Sequence, residues 1–106
     1  MKKKHTTYYE DLLERLKDPA YALGYLNACL EERDEETFLL ALRDVATAHG
    51  GLRKLALKTK LNREHLFRML SKHGNPRWAS IRNLIQAFGW KIAFVEKLSS
   101  KLPRAA

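Results

Sequence analysis

Six side chains with one shared chemistry crowd a short stretch of this chain: Asn62, Arg63, Glu64, His65, Phe67 and Arg68, inside LALKTKLNREHLFRML. An arginine guanidinium can hold guanine O6 and N7 with two parallel hydrogen bonds, and an asparagine amide can do the same for adenine N6 and N7. Glu64 can accept from a cytosine amino group, or only orient Arg68 four residues on. Phe67 can touch a thymine methyl, or pack against the neighbouring loop. His65 stands at the margin of the same set. Together these groups suit the edges of base pairs, provided that a rigid element carries them.

The apolar positions around them supply that element. Leu52, Leu55 and Ala56 fall on one face of a first helix, and Leu61 is an apolar plug in a turn. Asn62 is placed to cap a second helix, whose inward side is Leu66, Met69 and Leu70. Ala56 is small where two steeply crossing helices must approach. This is the spacing of a helix-turn-helix, whose second helix enters the DNA major groove. The turn usually wants glycine where Lys60 stands, because the backbone there is often left-handed; a residue with a side chain gives up about 1–2 kcal/mol in that conformation.

Charge points the same way. Residues 1–50 hold seven Lys/Arg and ten Asp/Glu, a net of −3, whereas residues 51–106 hold thirteen and two, a net of +11. A basic half is the electrostatic footprint of a polyanion binder, although a solvated basic surface would look alike. Arg53, Lys54, Lys58, Lys60, Lys72, Arg77 and Arg82 flank the motif and are the expected phosphate contacts. Lys2, Lys3 and Lys4 read as a solvated tail, with a phosphate role as the alternative.

Helical patterns run through most of the chain. Residues 8–17 carry Leu12, Leu13 and Leu16 on one side. Asp18-Pro19 restarts the chain with an N-cap and a proline suited to the first helical position. Ala22, Leu26, Cys29 and Leu30 follow at helical spacing, with Cys29 as a small core residue. Asp34 caps the next helix, whose stripe is Phe38, Leu39, Leu42, Val45 and Ala46, and Gly50-Gly51 ends it. The turn residues of 72–77 lead to a last helix, with Ile81, Leu84, Ile85 and Phe88 as its face and Gly89 as its stop. Trp78 and Trp90 read as packing residues of the core or of a dimer interface, and His49 and His73 as solvated helix-end residues.

The period changes after Gly89. Trp90, Ile92 and Phe94 alternate with Lys91, Ala93 and Val95, which predicts a short strand. A lone strand needs a partner, and none is evident inside the chain, so the same strand of a second copy is expected to supply it. Phe88, Trp90, Ile92 and Phe94 are then the expected interface of a homodimer. The organisation predicted is all-α with this one strand: a helical, acidic part over 1–50, a helix-turn-helix part over 51–97, and a polar tail over 98–106, in one compact domain.

Several function classes are disfavoured. No apolar run approaches the roughly 20 residues of a membrane span. The basic start of the chain is followed by no apolar stretch of the signal-peptide kind, which predicts the cytoplasm. A single cysteine makes no internal disulfide, and no Cys/His spacing suits a metal. No nucleophile triad, glycine-rich phosphate loop or carboxylate pair is apparent, so neither an enzyme nor a cofactor is expected. An RNA-binding module would want exposed aromatics for stacking, and the motif offers Phe67 at most.

The strings YLNACLEE, FLLALRDVATAHGG and LNREHLFRMLSKHGNPRWASIRNLIQAFG, with the segment after them, resemble the addiction-module antidote proteins over about residues 8–95. These are HigA-like antitoxins with a phage-repressor (Xre/Cro-type) helix-turn-helix. The LSKHGNP loop joined to the upstream ALRDVATAHG is the more specific part. The resemblance implies a dimer that represses its own promoter at a palindromic operator and neutralises a RelE/ParE-like toxin, with residues 63–70 as recognition helix. A phage-derived repressor without a toxin remains the alternative. A toxin of that class acts on RNA and is expected to be basic. The acidic cluster Glu31, Glu32, Asp34, Glu35 and Glu36 is therefore the expected toxin-facing surface, although capping and solubility account for the same residues.

Overall fold

A computed structural model describes residues 7–97, in which six helices follow one another: α1 (Tyr8–Leu16), α2 (Pro19–Leu30), α3 (Glu35–Ala48), α4 (Gly51–Thr59), α5 (Arg63–Met69) and α6 (Trp78–Ala87). The polar tail expected over 98–106 and the Lys2–Lys4 run lie outside the described residues.

Local chemistry explains the starts of the first three helices. Thr7 and Glu10 form a reciprocal capping box at α1, each side chain accepting a 3.0 Å bond from the other's backbone N–H. Asp18 accepts from the Ala20 amide at 3.1 Å ahead of Pro19, and Asp34 accepts from the Glu36 amide at 3.1 Å. The start of α4 differs. Gly50 has φ 114°, which a side chain would strain, and no side chain caps the helix.

α3 lies against α1, α2 and α4, and α4 lies against α5 and α6. The fully buried side chains come from most layers: Leu16, Leu42, Val45, Leu66, Leu70 and Leu84. Leu39, Val45 and Ala46 of the expected α3 stripe are buried, and Phe38 is half-buried at its edge. One helical stripe runs past the core. Ala22 and Leu26 of α2 are buried, whereas Leu30, one turn further, is 58% exposed.

The strand expected at 90–95 does not form: residues 90–97 are irregular, and no strand occurs among the described residues. A strand is made by pairing, and no other described segment pairs with this one. Its alternation does not sort the side chains either. Trp90 turns back onto Phe88, with ring centroids 5.6 Å apart, while Ile92, Phe94 and Val95 are all exposed. Two expectations also narrow or change. Trp78 is 63% exposed in the single chain and so is not a core residue. His49 is half-buried rather than solvated, with its Nε2 2.7 Å from the Leu16 carbonyl oxygen, a long-range tie between α3 and the end of α1. No helix among the described residues is long and apolar enough to cross a membrane.

Candidate nucleic-acid interface

α5 is held by one edge and open on the other. Leu66 and Met69, with Leu70 just beyond the helix, are buried, and Asn62, Arg63, Glu64, His65, Phe67 and Arg68 are all exposed. The turn that delivers it is well braced. Lys60 takes the left-handed conformation (φ 63°, ψ 20°) and donates its amide to the Ala56 carbonyl at 2.8 Å. The buried Thr59 hydroxyl donates to the Leu55 carbonyl at 2.9 Å and accepts from the Leu61 amide at 3.2 Å. Asn83 of α6 donates to the Thr59 carbonyl at 3.4 Å, so three elements meet at this turn. Asn62 caps α5, its Oδ1 accepting from the His65 amide at 3.0 Å. A bidentate adenine contact would have to use the second lone pair of that same oxygen.

Two open hollows flank α5. One, of about 790 Å³, lies between the start of α4 and α5 and is bordered by Gly51, Leu52, Arg53, Arg63, Glu64 and Phe67. The uncapped amides of α4 are at this edge, and helix N-termini of this kind favour anions. The other, of about 660 Å³, lies between α5 and the 70–77 loop, with His65, Arg68, His73 and Arg77 on its walls. That loop is folded tightly onto the end of α5. Ser71 donates to the Arg68 carbonyl at 2.7 Å, and a Cβ on Gly74 would collide with the Met69 carbonyl.

One residue at this face escaped the sequence reading. Arg43, on α3 in the acidic half, stands over the Phe67 ring with its guanidinium carbon 4.6 Å from the centroid. Phe67 therefore packs on an arginine, and stays 48% exposed. A positive charge over an aromatic face is attractive, and it adds a cation from the other half to this surface. No sequence signal pointed to Arg43, because it shares α3 with Glu35, Glu36 and the adjacent Asp44 and lies twenty-four positions before Phe67. Beside it, Asp44 is half-buried and its carboxyl is raised above the ordinary value, chiefly by burial. Tyr9 donates to it at 3.3 Å. The Tyr25 phenol is pushed up to about 12, first by burial and then by the Asp44 charge.

The other expected residues are distributed less simply. Lys54 and Lys58 border a small cavity of about 110 Å³ with His49, Ala87 and Phe88, on a different side of α4 from Arg53. Lys60, Lys72 and Arg82 are exposed but line neither hollow beside α5. Phe88 is occupied within the chain, 6.4 Å from the His49 ring and in contact with Trp90. Of the four expected dimer residues, Ile92 and Phe94 are the exposed ones. Glu31, Glu32, Asp34, Glu35 and Glu36 cluster at the α2–α3 junction, where Asp34 is the cap and Glu36 lies 3.8 Å from His73.

The comparisons with known proteins identify the lineage. A family model described as a probable addiction module antidote protein matches residues 6–96. The chain belongs to that family. An antidote answers a toxin, so membership makes this an antitoxin of an addiction module and implies a cognate toxin as its partner. An uncharacterized protein of Haemophilus influenzae is similar to this antitoxin, 34% identical over 77 residues that make up 73% of this chain and 78% of that protein. No solved structure matches the chain.

Proposed function

We propose that this antitoxin binds operator DNA through α4 and α5 as a helix-turn-helix of the Xre/Cro type, represses its own promoter, and neutralises a RelE/ParE-like toxin in the manner of HigA. The observation that carries the reading is the split of α5: Leu66, Met69 and Leu70 buried, and Arg63, Glu64, His65, Phe67 and Arg68 exposed between two arginine-bearing hollows. A short helix seated in this way can enter a major groove with its outer residues on base edges, while Arg53 and Arg77 take phosphates on either side. Arg63 and Arg68 are the specific readers. Phe67, held by Arg43, is placed for a thymine methyl. On this reading the protein acts by binding rather than by catalysis, and works in the cytoplasm beside its operator.

One such helix reads only a few base pairs. A homodimer on a palindromic operator, its recognition helices one duplex turn or about 34 Å apart, supplies the missing specificity. We assign the second copy to the exposed apolar side chains of Ile92 and Phe94, as side-chain contact rather than as a ladder.

The test uses the purified chain and duplexes from its own upstream region. Fluorescence anisotropy should show tighter binding to the palindromic segment than to a scrambled one, and sedimentation should show a dimer. Co-expression with the product of the neighbouring reading frame should restore growth that this product alone arrests. Equal affinity for both duplexes would overturn the operator reading, and absence of rescue would overturn the pairing with that toxin. A repressor without a toxin uses the same helix, but membership in an antidote family favours the toxin-bearing reading.

A further inference from the structure

On the far side of the 70–77 loop from the second hollow lies a groove of about 420 Å³ that the operator reading does not use. Its floor is apolar: Cys29, Phe38, Leu39 and Ile81. Its mouth is apolar as well. Leu30, 58% exposed, continues the α2 stripe of Ala22 and Leu26, and Trp78, 63% exposed, begins the α6 stripe of Ile81 and Ile85. Two core stripes thus run on past the end of their own core and meet at one groove. Around that mouth stand Glu32, Asp34 and Glu35, with Arg33 as the one cation in the lining.

We propose that this groove receives a basic amphipathic helix of the partner protein, its apolar stripe against Leu30 and Trp78 and its cations against the acidic rim. The assignment of that partner as the toxin rests on the antitoxin reading above. Four observations select the occupant. An apolar trough of this kind takes side chains spaced at i, i+3 or i+4, and i+7, as grooves for amphipathic helices do. Charge complementarity then calls for lysines or arginines beside the stripe, and excludes nucleic acid. A small polar metabolite would need convergent buried donors or acceptors, yet the floor is apolar and no buried side-chain N or O among the described residues lacks a partner. Finally, the acidic cluster has more carboxylates than capping uses. Asp34 is the cap of α3, whereas Glu32 lies in the turn between helices and lines the groove. The groove and the arginine-bearing hollow share Asn75 and Pro76 as a wall, so the two partners would meet across one loop.

The experiment uses the full chain with Trp90→Phe, which leaves Trp78 as the reporting tryptophan. The probe is a model helix of about 18 residues, five turns, with leucines along one stripe and lysines elsewhere. A glutamate version is the control. The lysine helix should saturate with a blue shift of Trp78 emission, weaken with added salt, and bind the double variant Glu32→Lys, Glu35→Gln at least tenfold less well. The glutamate helix should not bind. Leu30→Ser and Trp78→Ser, both at exposed positions and checked for helicity by circular dichroism, should each lose at least tenfold for the labelled lysine helix and for the toxin, with duplex affinity unchanged. Equal binding of the two helices, or full binding by the charge variant, overturns the groove. So does a dimer that Trp78→Ser converts to monomer, because the occupant is then a second copy. If the chain neutralises the toxin and both serine variants do so equally well, the antitoxin reading stands and the groove falls. If the unmodified chain binds no toxin, the antitoxin reading falls, and the model helices alone decide the groove.

Discussion

The first three helices and the last three use charge in opposite ways. In α1 to α3, acidic groups serve the fold: Glu10 closes the capping box, Asp18 and Asp34 cap, and Glu35 and Glu36 sit in a first turn where the helix dipole favours anions. In α4 to α6, two of the three helices begin without any side-chain cap, and Arg53, Arg63, Arg68 and Arg77 point outward around the two hollows. One half keeps much of its charge at helix ends, and the other presents it to solvent. Exposed cations contribute little to stability, so a surface that collects them is better explained by a partner than by the fold.

The largest effect expected from this contrast is on salt dependence. If the second half neutralises several phosphates, log affinity falls with log salt at about −0.9 per phosphate, and six to ten contacts lose about 10³ to 10⁵ between 50 and 200 mM salt. Charge reversal of Arg53 or Arg77 should flatten that slope, whereas reversal of Lys54, on the other side of α4, should do so less. Binding that does not respond to salt would remove the distinction between the halves.

Next in size is readout. Arg63→Ala or Arg68→Ala should cost about 1–3 kcal/mol on the preferred duplex and relax base preference at one position. Equal losses on specific and random duplexes would make both residues phosphate contacts. Arg43→Ala removes a cation from the acidic half and frees the Phe67 ring, so it should weaken duplex binding although it lies outside the motif.

A smaller effect separates folding from binding. Asp34→Ala removes the cap of α3 and should cost about 1 kcal/mol of stability, read as a lower urea midpoint. Operator affinity at a temperature where the variant is folded should not change. A loss of DNA binding in the folded variant would show that the acidic junction and α5 are coupled.

What could be read from sequence divides along the same line of local against distant causes. Asp18-Pro19, Asp34 and Asn62 were legible because a cap acts within three residues. The inner edge of α5 was legible because a periodic stripe declares its own face. The distant features were not. The alternation after Gly89 has the pattern of a strand, but pairing needs a second segment, and pattern alone cannot provide one. His49 reads as a solvated end residue until the Leu16 carbonyl, thirty-three positions away, is placed beside it. Arg43 sits among acidic neighbours and gives no hint of Phe67. Trp78 reads as a core or interface residue because of its large apolar ring, yet in the fold it stands 63% exposed at the first position of α6.

The smallest expected effect concerns Lys60, where the two uses of charge meet in one residue. It is the one non-glycine residue with positive φ among those described, and it ends α4 at the turn that sets the angle of α5. The left-handed conformation costs a residue with a side chain about 1–2 kcal/mol. Glycine removes that cost but gives up about 0.5–1 kcal/mol in the extra freedom of the unfolded chain. Lys60→Gly should therefore stabilise the free protein by about 0.5–1 kcal/mol, which is roughly a 2–8 °C rise in Tm for a chain of this size. It also deletes a cation beside the candidate interface. If Lys60 meets a phosphate, the salt slope should shrink by about 0.9 and affinity at low salt should drop, against the direction of the stability change. A melt of the free protein and a salt titration of the complex read the two effects separately. A Tm that does not rise would show that the turn is unstrained at Lys60, and an unchanged slope would take this residue off the phosphate face.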